Sequence, residues 1–216
     1  MTEQTRFDLE PEYRRIGESL ASLLIDDYGV GGGERSVIAI AGESGSGKTI
    51  AAVSVQRGLS AAGIAVTALH QDDYFRRPPR ANHEHRKRDL GSVGPQEVDL
   101  ELLRDHVAAF RASASNVGVP QVDYAGDRFL TSRADFSTVA ALVVEGTYVL
   151  RLEDIDVRIF LEATSDDTRE RRRLRNRDLH EPFVDQVLAI EHDLIAPQAA
   201  AAHIVIDRDF HVTRRN

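Results

Sequence analysis

The chain of 216 residues contains no cysteine, and that absence excludes a good deal of chemistry. Without thiols there can be no disulfide framework, no thiolate zinc site and no cysteine nucleophile. Long apolar runs are also missing, since none approaches the roughly 20 residues that cross a bilayer. The N-terminus, MTEQTRFDLEPEYRR, lacks the cationic start and apolar stretch of a signal peptide, so a cytoplasmic protein engaging no membrane is expected. Positive charge is not in excess either: 27 Lys and Arg face 35 Asp and Glu, for a net charge of −8. General nucleic-acid binding takes its affinity from cationic surface, so no nucleic-acid partner is expected.

What is present reads as one α/β domain, with 42% hydrophobic residues to build a core. Tyr13, Ile16, Leu20, Leu23 and Leu24 follow helical spacing, with Pro11 near the start. The glycine-rich YGVGGGER (28–35) then links this helix to the core. SVIAIA (36–41), IAVTAL (64–69), AALVVEG (140–146), DVRIFLEA (156–163) and AHIVID (202–207) read as buried strands. Helical patterns alternate with them, among them Leu100, Leu103, Val107 and Phe110, and Phe183, Val187, Ile190 and Leu194. Such alternation implies a mainly parallel sheet covered on both faces, with ligands outside the carboxyl ends of its strands.

At the first such end stands GESGSGKT, Gly42 to Thr49, which satisfies G-x-x-x-x-G-K-[ST] between a strand and a helix. Glycines let the backbone curl so that successive N–H groups point at phosphate oxygens, aided by the helix N-terminus. Lys48 supplies a cation to the β- and γ-phosphates, and the Thr49 hydroxyl suits Mg²⁺. No N-K-x-D guanine-reading signature accompanies it.

Two further strand ends carry acids: Asp72 and Asp73 after the second strand, and Glu145 closing ALVVE. Phosphoryl transfer to a hydroxyl needs a carboxylate to accept its proton and acids to hold the metal. QDDY also suits a turn, and Glu145 also suits a solvated strand end. Beyond QDDYF, RRPPRANHEHRKRD turns strongly basic. It reads as an insertion arching over a pocket, stiffened by its prolines, and its charge suggests a ligand bearing phosphate or carboxylate. A third feature, SDDTRERRRLRNRD (165–178), is too polar to bury and is marked as a helix start by the capping-box spacing of Thr164 and Asp167.

GESGSGKT, QDDYF, GPQEVD (94–99), VVEG and DDTRERRRLRNRD, in this order, resemble the uridine kinase and phosphoribulokinase family of P-loop kinases over roughly residues 36–207. The resemblance implies a three-layer α/β/α P-loop kinase fold with a mainly parallel five-stranded sheet, an N-terminal helix and lid segments. Residues 1–35 would form the helix and linker and residues 36–216 the kinase domain, with 76–94 as acceptor-side insertion and 165–182 as arginine-rich lid.

The implied activity is ATP- and Mg²⁺-dependent transfer of a γ-phosphoryl group to a hydroxyl of a small metabolite, either a nucleoside or another acceptor, anionic ones included. Asp72, not Asp73, is the implied base, acting with Lys48, Arg169 and Arg173. ATP would lie on Gly42, Glu43, Ser44, Gly45, Ser46, Gly47, Lys48 and Thr49, with Arg172 and Arg175. The acceptor would meet Asp72, Tyr74, Arg76, Asp99, Asp123 and Glu145, and Mg²⁺ would meet Thr49, Glu145 and Asp72. Asp99 also suits a helix cap.

Two departures matter. Gly94 stands where the family motif has histidine, and Val122 replaces the tyrosine of a P-V-Y-D-like segment with no histidine soon after. Kinase chemistry is therefore expected, whereas a pyrimidine-reading pocket is not.

The partner expected is a small-molecule acceptor, and self-association into a homo-oligomer is compatible with the sequence. The alternative from another class is a nucleotide-dependent switch or nucleic-acid-stimulated ATPase using residues 76–88 and the arginine stretch. A metal site at His70, His83 and His85 lacks a supporting acid cluster.

Overall fold

The computed structural model of the chain describes residues 11–165, 167, 168 and 182–215. In chain order its main elements begin with α1 (Pro11–Asp26), β1 (Ser36–Gly42), α2 (Lys48–Ala61) and β2 (Val66–His70). Next come α3 (Pro79–Arg88), α4 (Leu100–Arg111), β3 (Val117–Asp123) and β4 (Arg128–Ala134). The chain closes with β5 (Ala141–Glu145), β6 (Val157–Leu161), α5 (Pro182–Ile195), β7 (Ile204–Ile206) and β8 (Val212–Arg214).

β1 is buried along its whole length, as a strand covered on both faces must be. It lies between β5 and β6, parallel to both, in a sheet of order β2-β5-β1-β6-β7-β8. Its side chains alternate between two cores. Ile38 and Ile40 meet Leu20 and Leu24 of α1 and Val55 and Leu59 of α2. Val37, Ala39 and Ala41 face the other way, toward Leu103, Val107 and Phe110 of α4 and Ile195 of α5. Complete burial of each larger side chain contributes about 1.5–3 kcal/mol. The result is the expected three-layer α/β/α arrangement. Leu20 and Leu24 of α1 are both fully buried in this core.

The five expected parallel strands are present, and the sheet carries a sixth. β8 pairs antiparallel with β7 at the edge, and as three residues with two exposed it has no readable pattern. A separate antiparallel hairpin, β3–β4, was likewise not anticipated. Its half-exposed strands lack a continuous apolar run. The basic stretch expected as a stiffened arch is largely helix α3. Pro79 occupies its first turn, where a missing N–H costs no hydrogen bond. Among the described residues no helix is long and apolar enough to cross a membrane.

Candidate functional site

β1 delivers the chain into residues 43–47 and α2 takes over at Lys48. The turn needs left-handed backbone at Gly45 (φ 80°) and Gly47 (φ 103°), which glycine adopts at no steric cost. A Cβ on Gly42 would come within 2.7 Å of Ser46 Oγ and 2.9 Å of the Leu161 carbonyl oxygen. Ser46 Oγ is buried and has no hydrogen-bond partner among the described residues. Lys48 Nζ donates to the Glu43 carbonyl at 2.8 Å. This tight, glycine-dependent turn ahead of a helix of 14 residues fits a phosphate group.

Glu43 is buried and ties the loop to its surroundings. Its Oε1 lies 2.6 Å from His192 Nδ1 on α5, and its Oε2 accepts the Ser165 N–H at 2.6 Å. The Thr168 hydroxyl lies 3.3 Å from the Ser44 carbonyl and 2.9 Å from that of Thr164. Thr164 donates from both N–H and hydroxyl to Asp167 Oδ2, at 2.9 and 2.8 Å, and accepts the Asp167 N–H at 3.3 Å. The base of the arginine-rich stretch is thus held against the phosphate loop. Arg169, Arg172, Arg173 and Arg175 lie outside the described residues.

Parallel register sets His70 beside Glu145 at the sheet's carboxyl edge. Buried Glu145 Oε1 sits 2.8 Å from His70 Nδ1 and accepts the Thr49 hydroxyl at 3.3 Å. Burial alone would raise its carboxyl, yet the His70 hydrogen bond and charge, with Lys48 and Thr49, hold it below the ordinary range. Burial likewise opposes the charged form of His70, but Glu145 and the neighbouring aspartates raise it overall. Asp72 opens to the cavity while lying deep among protein atoms. That enclosure and the adjacent Glu145 push its carboxyl upward, against the pull of Lys48 and the Tyr124 hydroxyl. Two carboxylates and a hydroxyl, all hard oxygen donors beside the loop, form a set suited to Mg²⁺.

The two aspartates are put to different uses. Asp73 Oδ1 accepts the Val122 N–H at 2.7 Å and pins the hairpin to the end of β2. Asp72 Oδ2 instead accepts the hydroxyl of Tyr124 at 3.2 Å and lines a cavity of about 800 Å³. Lys48, Thr49 and Glu145 share this cavity with the outer face of α3, the hairpin and one face of α5. Phe129, Phe183, Val184 and Val187 give it an apolar wall.

Four residues expected to meet an acceptor do not line the cavity. Tyr74 is 2% exposed and points into the core, its hydroxyl 2.8 Å from His106 Nδ1. Asp99 caps α4 by accepting the Leu102 N–H at 3.1 Å, and Arg76 pairs with it at 3.3 Å, so Arg76 is outside the cavity too. Asp123 closes the hairpin turn, accepting from Gly126 N–H at 2.9 Å and Arg128 Nε at 3.1 Å. Tyr124, by contrast, was not among the expected residues. No periodic pattern marks it, because it stands in the hairpin turn one residue past the end of β3.

The basic segment is less cationic in the fold than in the sequence. Arg86 donates from Nε to Glu97 Oε1 and from Nη2 to Glu97 Oε2, both at 2.7 Å, and Nη2 also reaches Glu191 Oε1 at 3.0 Å. Lys87 pairs with Glu84 at 3.3 Å. Only Arg77 and Arg80 line the cavity with no side-chain partner among the described residues. Among the described residues the lining balances Lys48, Arg77, Arg80 and Arg86 against Asp72, Glu84, Glu145 and Glu191.

Comparison with known proteins agrees with this geometry. The chain is 30% identical over 189 residues to the bifunctional alpha-galactosidase/sucrose kinase AgaSK of Mediterraneibacter gnavus, covering 81% of this chain but only 20% of that protein. It is 27% identical over 195 residues to uridine kinase of Staphylococcus aureus, covering 80% of this chain and 92% of the relative. Among solved structures, a possible uridine kinase from Bacillus stearothermophilus superposes with a TM-score of 0.66 at 21% identity, over 90% of this chain and 98% of the other. With residues 37–213 matching the family pattern, the chain belongs to the phosphoribulokinase / uridine kinase family.

Proposed function

We propose that the protein transfers the γ-phosphoryl group of ATP to a hydroxyl of a small metabolite. The observation that carries this reading is the shared cavity, in which the phosphate loop with Lys48 and Thr49 faces Asp72 across an acceptor-sized space. The acceptor oxygen forms the new O–P bond as the bond from the γ-phosphorus to its bridging oxygen breaks. The hydroxyl proton passes to Asp72, and ADP leaves. Catalysis of this kind is mostly positioning and charge neutralisation. Asp72 is suited to the base role because its carboxylate is open to the cavity, whereas that of Asp73 is spent on the hairpin.

Lys48 stands at the helix start, where its cation can neutralise charge on the transferred group. Thr49 and Glu145, with Asp72, are the residues that would hold Mg²⁺, whose charge offsets that of the β- and γ-phosphates when bound. Residues 165–182, of which Ser165 bonds Glu43 and Thr168 bonds Ser44, are proposed to close over ATP, with Arg169, Arg172, Arg173 and Arg175 contributing cations. Closure matters because water would otherwise compete with the acceptor.

The relatives named above point to hydroxyl acceptors of two kinds, a nucleoside and a sugar. The test is an ADP-release screen over nucleosides, mono- and disaccharides, sugar phosphates and hydroxy acids, with Lys48→Ala as blank. Acceptor-stimulated ADP release absent from the variant is expected. Hydrolysis that no acceptor stimulates but a polynucleotide does would overturn the reading.

A further inference from the structure

Between α3 and α5 the cavity is lined by a polar network to which the proposed phosphoryl transfer assigns no role. Glu191 on α5 and Asn82 on α3 both line the cavity and are 8% and 7% exposed. Arg86 lies between two carboxylates, those of Glu97 and Glu191, so the cluster carries two acids to one base. Glu97 is fully used: it accepts from Arg86 twice, from Asn82 Nδ2 at 3.0 Å and from the Gly94 N–H at 3.0 Å. Glu191 is not. Its Oε1 takes one bond from Arg86, and its other oxygen has no hydrogen bond among the described residues. The donation to Glu97 also fixes the Asn82 amide, leaving its buried Oδ1 with no partner.

We propose that Glu191 and Asn82 read hydroxyl groups of the phosphate acceptor, and that the preferred acceptor is a neutral, hydroxyl-rich molecule and not an anion. The inference rests on the kinase reading for the word acceptor. Its physical basis is separate: Asn82 Oδ1 is buried without a donor, Glu191 has a second carboxylate oxygen unspent, and polyols bring donors whereas phosphates and carboxylates bring acceptors.

Charge points the same way. An anion placed here meets two buried carboxylates held by Arg86, with Lys48 also acting on Glu191. The opposing Arg77 and Arg80 stand at the start of α3, where Arg80 is exposed and Arg77 partly so, and solvent and salt screen exposed charges within about 8 Å. The buried acid is screened far less. Burial and Glu97 do raise the Glu191 carboxyl, with Arg86 opposing, and a bound hydroxyl donor would favour the ionised form.

The competing account is that a buried water satisfies Asn82 Oδ1 and the cluster only braces α3 against α5. Calorimetric titration of the full chain in the presence of Mg²⁺ and ADP separates the two. The panel pairs neutral nucleosides, mono- and disaccharides with their phosphorylated or carboxylated counterparts. A neutral member is expected to bind at least about tenfold tighter than its anionic counterpart, the scale of one hydrogen bond to a charged group.

Glu191→Gln should then weaken the neutral ligand about tenfold and narrow that preference, because it removes the repelling charge. A brace alone would weaken both arms equally. Tighter binding of the anionic member, no binding by any neutral member, or an unchanged preference in Glu191→Gln would overturn the proposal. If that variant does not fold, Asn82→Ser should weaken the neutral ligand selectively, and equal loss in both arms would overturn it. Neutral binding without ADP release in a parallel assay supports this inference while counting against the kinase reading.

Discussion

The phenolic hydroxyl of Tyr124 donates to Oδ2 of Asp72 across 3.2 Å, joining the far hairpin to the acid at the end of β2. A donor to the charged form holds a carboxyl down, and this one works against the enclosure and the Glu145 charge that push Asp72 up. If Asp72 accepts the acceptor's proton, it must be ionised, and activity falls as pH drops through its pKa. Tyr124→Phe should therefore move the acidic limb of the kcat profile to higher pH. It should also lower kcat roughly three- to tenfold near neutrality, the scale of one exposed bond to a charged group. An unmoved acidic limb would show that the phenol does not tune Asp72.

Removing the base and the loop cation separates their contributions. Asp72→Asn preserves shape and should slow ADP release by about 10²- to 10⁴-fold, the usual size of general-base assistance. Affinity for the nucleotide without Mg²⁺ should change little, because Asp72 lies outside the phosphate loop. Lys48→Ala should abolish acceptor-stimulated turnover. Full activity in Asp72→Asn would transfer the base role elsewhere, with Glu145 the nearest carboxylate on the same edge.

The parts legible in the sequence were those with one local cause. The five parallel strands announce themselves by apolar, β-branched runs, and the phosphate loop by glycines whose φ values no other residue adopts cheaply. Side-chain direction is a different matter. Tyr74 and Asp73 follow Asp72 in the chain, yet one turns to His106 in the core and the other to the hairpin. Asp99 and Asp123 had plausible chemistry, but a helix start and a hairpin turn claimed them first. The hairpin, α3 and the acid cluster on Arg86 depend on pairings between segments far apart in the chain. Charge counted along RRPPRANHEHRKRD could not reveal that Glu97 and Glu191 would neutralise part of it.

His70 and Glu145 give a pH signature in stability. His70 is raised above its ordinary value in the fold because it gains Glu145 as partner. A raised histidine contributes stability fully below its unfolded pKa of about 6.5, and the contribution is lost as pH rises through the folded value. His70→Gln should therefore lower the urea midpoint more at pH 5.5 than at pH 8.5. The same loss at both values would mean that His70 acts as a neutral hydrogen-bond partner only.

The Arg86 cluster makes the sharpest stability prediction, because burial decides its sign. Glu97 and Glu191 side chains are 1% and 11% exposed, and Arg86 holds both. Arg86→Met keeps much of the side-chain volume but leaves two buried carboxylates without their cation. Breaking a buried pair from one side typically costs about 3–5 kcal/mol, more than any gain from the apolar replacement. The cost should be larger at neutral pH than near pH 5, because burial raises the Glu191 carboxyl and lets it take up a proton as pH falls. Adding Glu191→Gln to Arg86→Met should recover part of it, since one of the stranded charges is gone. A double mutant as unstable as the sum of the two single losses would show that Glu191 and Arg86 are not coupled.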